Sequence, residues 1–400
     1  MPHPQANIRF AILPMGREDG GPNEFAHTMV PHPLVGQELP YDPRYTIYNR
    51  RLTAMSMGGI SANDAYWKLR REAILRHTGE LPIEIRGPDA ETLLNRVFTR
   101  DITGTRIGRC SYQIACRDDG GILLDGVLVR LDKDRFWYGQ ADGDLSHWLM
   151  ALGRGMDVEI RDPDVWVSQV QGPHSLRILA DAVDGDYPEP FRYFDVAHAR
   201  MAGQSVVITR SGFTNELGWE IYLEPDTDAE AVGRRIIEAG APFGMGPVAV
   251  GGARRIEAGL LNAGVDFDET TTPFAAGLGG LVDLDKGDFI GRDALVRSDR
   301  RRRTWGLRVG GGVARIGRSL FGGGVPAGRV CSAAWSPFLR CGVAIVRLDD
   351  PDLGPGAPMD VICGDGTLRP AQICDLPMYD RNRDIPRGKV VDIPRIEARA

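Results

Sequence analysis

Between residues 63 and 98 the hydrophobic pattern changes period twice. Residues 63–75 (Asn-Asp-Ala-Tyr-Trp-Lys-Leu-Arg-Arg-Glu-Ala-Ile-Leu) carry apolar side chains at helical spacing behind a cap at Asn63 or Asp64, which predicts a helix. Residues 81–85 alternate as a strand does, Gly87-Pro88-Asp89 turns the chain, and residues 90–98 return to helical spacing. The same order of strand, Gly-Pro turn and helix recurs at residues 165–170, Gly172-Pro173-His174 and residues 175–182, so the body is expected to contain two related halves. Strand-like runs at 206–209 and 221–223 flank a polar loop. Beyond the basic segment Arg297-Ser298-Asp299-Arg300-Arg301-Arg302-Arg303, short strands such as 343–348 lie among Gly and Pro. That pattern predicts a small C-terminal barrel or sandwich.

Three units follow: an irregular, Pro-rich arm over residues 1–62, a body over 63–299, and a β domain over 300–400. A chain of 400 residues is long enough for more than one core. Its 42% hydrophobic and 26% charged residues are those of a folded globular protein. The net charge of −6 supplies no basic field for a phosphate backbone, so nucleic acid is not an expected partner. The apolar stretch at residues 8–14 runs into Arg17, Glu18 and Asp19, too short for a signal core, and no run is long enough to span a bilayer. A cytoplasmic protein without a membrane partner is expected. The six cysteines form no C-x-x-C pair and read as reduced thiols, and the seven histidines show no ligand spacing, so no metal is expected.

Two segments break the apolar pattern with acids. In Gly120-Gly-Ile-Leu-Leu-Asp125-Gly126-Val-Leu-Val a carboxylate interrupts a buried strand and a glycine follows it. Such an acid is costly unless paired, and the glycine suits a bulge or a close backbone approach; an Asp capping a loop amide or pairing with an Arg fits equally well. In Ser211-Gly-Phe-Thr-Asn-Glu216-Leu-Gly-Trp-Glu a hairpin loop presents Glu216. This is either a solvated surface acid or an acceptor for a planar ligand with two donors side by side, such as a pterin ring. Arg254 and Glu257 stand three apart in a helical pattern and are placed to pair. The phosphate-loop imitation at residues 312–319 has Arg318 where a lysine is needed.

In this order, Ile85-Arg-Gly-Pro-Asp-Ala, Gly120-Gly-Ile-Leu-Leu-Asp125, Ser211-Gly-Phe-Thr-Asn-Glu216-Leu-Gly-Trp-Glu, Arg255-Ile-Glu-Ala-Gly, Lys286-Gly-Asp-Phe-Ile-Gly-Arg and Leu376-Pro-Met-Tyr resemble the aminomethyltransferase family. Its best-known member is the T-protein of the glycine cleavage system. Ala65-Tyr-Trp-Lys-Leu, residues 134–144 and Val170-Gln-Gly-Pro173 are most similar to the branch of folate-dependent demethylases acting on dimethylsulfoniopropionate. Three departures stand out: the Ala-Arg-Asp ahead of the Arg255 segment is missing, Ala263 stands where the T-protein branch has an aromatic, and Arg76 stands where both branches usually carry Asp.

The resemblance implies an α+β fold, a three-subdomain ring of the T-protein type with a C-terminal β-barrel, holding tetrahydrofolate in its opening. By position it implies Asp125 as the acid beside the reactive folate nitrogen, Tyr112 as an aromatic of the pocket, Glu216 as the pterin-binding acid and Arg255 as a further folate contact. The implied reaction moves a methyl group from a small S-, N- or O-methylated donor to N5 of tetrahydrofolate. An ether donor would need a proton for its leaving group, for which Tyr48, His77 and Tyr193 are candidates. Aminomethyl transfer, as in glycine cleavage, and a non-catalytic folate-binding regulatory role are the alternatives.

Overall fold

A computed structural model describes residues 30–187 and 189–392. The apolar stretch at residues 8–14 lies outside them. In chain order the hairpin of β1 (Pro43–Tyr48) and β2 (Arg51–Met57) leads into α1 (Ala62–Arg71), β3 (Ile74–His77), β4 (Pro82–Arg86) and α2 (Ala90–Val97). Then come β5 (Arg109–Cys116), β6 (Ile122–Asp132), β7 (Arg135–Gln140), α3 (Leu145–Leu152) and β8 (Glu159–Arg161). The second half runs through β9 (Trp166–Gln171), α4 (Ser175–Ala182), β10 (Val196–Met201), β11 (Gln204–Thr209), β12 (Gly218–Leu223) and α5 (Ala229–Gly240). The short helices α6 (Ala253–Ala258) and α7 (Arg292–Arg297) lead to six strands, β13 (Thr304–Val309), β14 (Ser319–Gly322), β15 (Val325–Ser336), β16 (Cys341–Leu348), β17 (Pro358–Ile362) and β18 (Leu368–Cys374). These six close into a barrel.

The fold is mixed α and β, as expected, with local differences. Residues 43–57 of the arm pair as a two-stranded sheet. Helix α1 is capped by Ser61, whose hydroxyl accepts from the Asp64 amide at 3.1 Å, rather than by Asn63 or Asp64. It stops at Arg71 instead of running to Leu75, because residues 74–77 are drawn into a ladder with β9: a short apolar run has no period of its own to separate helix end from strand. Residues 312–319 run into a barrel strand, not a helix, so the phosphate-loop imitation has no cradle.

Two five-stranded sheets build the body, ordered β5-β6-β7-β4-β8 and β10-β11-β12-β9-β3. Directly opposed residues of an antiparallel ladder share a face, and successive residues alternate faces. The register therefore fixes which side chains meet. In the second sheet Leu75, Val170, Trp219 and Ile221 share the outer face and pack under α4 and α5 against Ile178, Leu179, Val232 and Ile236. In the first, Ile85, Leu128, Phe136 and Tyr138 pack under α2 and α3. The inner faces meet each other, with Val167, Val207 and Tyr222 against Cys110, Val129 and Trp137. On those same inner faces stand Tyr112 and Asp125 on one side and Arg76, Gln169, Glu220 and Thr209 on the other. The sandwich is apolar at one end and polar at the other, which is how the fold makes a site.

The two Gly-Pro turns have one geometry. Gly87 and Gly172 have φ of +133° and +127°, and a Cβ on them would lie 2.4 Å from the Asp157 carbonyl and 2.6 Å from the Glu72 carbonyl. Gly87 thus lets α2 close onto the segment before β8, and Gly172 lets α4 close onto backbone at the end of α1. Gly172→Ala is expected to cost at least about 1 to 3 kcal/mol, from positive-φ strain plus a clash against rigid backbone. Urea denaturation checks this, and an unchanged midpoint would mean that residues 72–73 move aside freely.

Candidate active site

Asp125 sits in the middle of β6, 5% exposed. Its carboxylate accepts the Tyr112 hydroxyl across the ladder, and no cation lies within ion-pair distance among the described residues. The Arg pairing open to it in the sequence is not what the strand provides. Nor is Gly126 a bulge: the register is regular there, and a Cβ would meet the Gly139 carbonyl at 2.3 Å and the Tyr138 ring at 2.8 Å. Glycine serves close approach by β7. Burial holds the Asp125 carboxyl at about 6, against a weaker pull down from the Tyr112 hydrogen bond. Burial and the neighbouring carboxylate push the Tyr112 phenol well above its ordinary range, so it remains a donor.

The facing wall is also titratable. Gln169 donates to Glu220 Oε1 at 2.7 Å and to Glu80 Oε1 at 3.3 Å, and Ser211 donates to Glu220 Oε2 at 2.5 Å. Burial, and for Glu80 the repulsion of Glu220, pushes both carboxyls up. Tyr48, at the end of the β1 hairpin strand, lies within electrostatic reach of Glu80, Asp125 and Asp142 and so spans the two walls. Tyr48, Arg76, Glu80, Tyr112 and Tyr193 each keep part of their surface open although packed deep in the protein. They border an internal opening.

Glu216 is not a solvated hairpin acid. Glu216 itself and its neighbours Thr214, Asn215 and Leu217 are buried, and Oε1 accepts Arg254 Nε at 2.5 Å and lies 2.7 Å from Arg70 Nε. Burial pushes its carboxyl up while the two guanidinium groups pull it back. Arg70 and Arg254 also lie 3.7 Å from Glu257 Oε2, so the pairing of Arg254 with Glu257 is present within a neutral quartet of two arginines and two glutamates. Both cationic contacts on Glu216 fall on one oxygen, Oε1.

Arg255 and His77 are placed apart from Asp125. Arg255 bonds Asp266 Oδ2 at 2.7 Å, the Leu260 carbonyl at 3.0 Å and Ser332 Oγ at 2.7 Å, tying α6 to the barrel. His77 lies on the outer sheet face, bonded to Ser168 at 2.8 Å and stacked on His32. Burial lowers it to about 3, so it stays a neutral imidazole at neutral pH, with no imidazolium proton to give a leaving group. Tyr193 stands at the edge of a pocket of about 330 Å³ lined by Arg109, Arg192, Arg210 and Arg387. Arg70, Glu80, Gln169 and Glu220 are further candidates at this site, as is Arg76, which the sequence marked only as a departure from the family pattern. A signal for some was there: Gln169 and Glu220 occupy inward positions of strands otherwise fit for burial.

Among the described residues no helix is long and apolar enough to cross a membrane, and all six cysteines are unpaired.

Comparison with known proteins agrees with this architecture. The family model for the GCVT N-terminal domain matches residues 61–286, and the glycine cleavage T-protein C-terminal barrel domain matches residues 302–380. Dimethylsulfoniopropionate demethylase DmdA of Ruegeria pomeroyi is 32% identical over 82% of this chain and 91% of its own. An aminomethyltransferase of Streptomyces avermitilis is 34% identical over 77% of this chain and 86% of its own. The fold matches that of glycine cleavage system aminomethyltransferase T from Bartonella henselae, with a TM-score of 0.78 over 88% of this chain and 98% of that one at 23% identity. With both domain models matched and two inward-facing acids set in the opening between its sheets, the chain belongs to the glycine-cleavage T-protein family and is a one-carbon transferase of the methyl- or aminomethyl-transferring kind.

Proposed function

We propose that the protein moves a methyl group from a small methylated donor to N5 of tetrahydrofolate. The observation that carries this reading is Asp125: a buried carboxylate, oriented by Tyr112, with no cation to neutralise it among the described residues. An acid held in that state stabilises positive charge that arises only during reaction. Bound tetrahydrofolate supplies a secondary amine, N5, as the methyl acceptor. Glu216 holds the pterin edge through Oε2, since Arg70 and Arg254 occupy Oε1. The pocket of four arginines beside Tyr193 suits the anionic glutamyl end.

On this reading Asp125 orients the acceptor nitrogen and balances its developing charge, while Tyr112 fixes the carboxylate's rotamer. Positioning two reactants in a site drained of water supplies much of the acceleration when the leaving group departs neutral. Tyr48 is the hydroxyl that reaches toward both walls, and its high phenol pKa, raised by burial and by Glu80 and Asp125, makes it a donor to a leaving oxygen rather than a base.

Saturating tetrahydrofolate is expected to raise the melting temperature by several degrees, because a ligand of the native state stabilises it by mass action. Incubation with tetrahydrofolate and sulfonium, ammonium and aryl-ether donors, with the folate products weighed by mass spectrometry, tests the chemistry. 5-Methyl-tetrahydrofolate supports methyl transfer, and a methylene product points to aminomethyl transfer. An unmoved melting curve removes folate from the reading.

A further inference from the structure

Arg76 lies in the row Arg76, Gln169, Glu220 and Thr209 that crosses the inner face of the second sheet, opposite Asp125 and Tyr112. Neutral or acidic partners fill this row, yet the guanidinium has no hydrogen bond and no ion pair with any described residue. Its Nε is sealed from solvent without an acceptor, while the residue keeps part of its surface on the opening. Glu80, Glu38 and Tyr48 face it at electrostatic range but not in contact. The carboxylates that would balance it are themselves disfavoured as charges: Glu38 is pushed up to about 7 by burial, and Glu80 upward by burial and Glu220. Burying a cation without a partner is costly, and protein arginines otherwise find a carboxylate fork. This one presents a fork with nothing in it.

We propose that Arg76 is the receptor for a carboxylate on the methyl donor, so that the substrate is a small carboxylate-bearing methylated compound, anchored at Arg76 with its methyl group turned toward Asp125. The geometry follows from the sheets. A donor held at Arg76 spans the opening between the two inner faces, and Tyr48, in reach of Arg76 and Asp125 alike, lies along its length. Glu80 and Glu220 flank the path, both held by the Gln169 amide. Arg76 is then a specificity-determining residue of this chain.

The inference rests on the methyl-transfer reading for the direction of the methyl group, but binding at Arg76 is measured without folate. Calorimetric titration of the whole protein with glycine betaine, dimethylsulfoniopropionate and 4-methoxybenzoate, each against its carboxamide, asks the question directly. At least one acid is expected to bind the wild type at least tenfold more tightly than its amide. Arg76→Met removes that preference while leaving amide affinity in place, and Arg76→Lys, which keeps the charge without the fork, restores part of it. The melting shift produced by tetrahydrofolate alone is the same in all three proteins. No preference for acid over amide in the wild type, with any of the three pairs, overturns the proposal without any variant having to fold. A preference that survives Arg76→Met overturns it too. Failure of the folate reading looks different: the wild type then shows no melting shift with tetrahydrofolate, whatever the acids and amides do.

Discussion

Asp125→Asn is expected to lower turnover by about 10²- to 10³-fold, the scale of losing one preorganised electrostatic partner of a transition state, while the protein stays folded and still binds folate. Asn is nearly isosteric and keeps the acceptor for the Tyr112 hydroxyl, so the ladder between β5 and β6 is undisturbed. The folded carboxyl titrates at about 6, above its ordinary value, because burial disfavours the charge. At neutral pH the ionised acid therefore opposes folding, and that cost grows as pH rises through the interval between the unfolded value and about 6. Replacing it by a neutral amide relieves the cost, so the variant melts at or above the wild-type temperature at pH 8. Activity has the opposite sense. The carboxylate is the working form, so wild-type kcat/KM falls as pH drops below about 6, and the residual activity of the variant lacks that limb. Single-turnover rates and melts on the same preparation decide the matter. A large loss of stability with an unchanged rate of transfer would make Asp125 a structural acid.

The order of motifs carried the fold further than periodicity did. The strand, Gly-Pro turn and helix repeat was readable because both turns need the same glycine, whose Cβ would strike backbone of a segment distant along the chain. Asp125 was legible for an energetic reason: an acid in an apolar strand demands a cause, and among the described residues no cation supplies one. Glu216 was half legible. Its loop was visible, but its burial depends on Arg70 and Arg254, which come from α1 and α6, and no local pattern links segments so far apart. The end of α1 failed for a different reason. Residues 73–75 are apolar in a helix or in a strand alike, and the pairing with β9 that decides between them is tertiary. Arg76 showed only as a charge where an acid was expected, and its lack of a partner exists only in three dimensions.

The quartet around Glu216 makes a second large effect. Glu257 is fully buried and accepts from the Tyr66 hydroxyl at 2.9 Å, the Tyr379 hydroxyl at 2.6 Å and Ser336 Oγ at 2.6 Å, while Arg70 and Arg254 lie 3.7 Å from Oε2. One carboxylate thus joins α1, α6, the barrel strand β15 and the segment after β18. Glu257→Gln keeps an acceptor for the hydroxyls but leaves two guanidinium groups with the single counter-charge of Glu216. Removing one member of a buried ionic set typically costs about 3 to 5 kcal/mol, because the remaining charge is uncompensated, and that range is expected here in urea denaturation. Arg254→Met leaves the opposite excess and should cost a similar amount. The double variant returns the set to one arginine and one glutamate, Arg70 and Glu216, whose contact at 2.7 Å is already in place. Its cost is therefore expected to fall well short of the sum, by about 1 to 3 kcal/mol of coupling, as for residues sharing one network. Strict additivity would show that the quartet acts as separate contacts rather than as one charge-balanced unit, and Glu216 would then be held by packing of its loop alone.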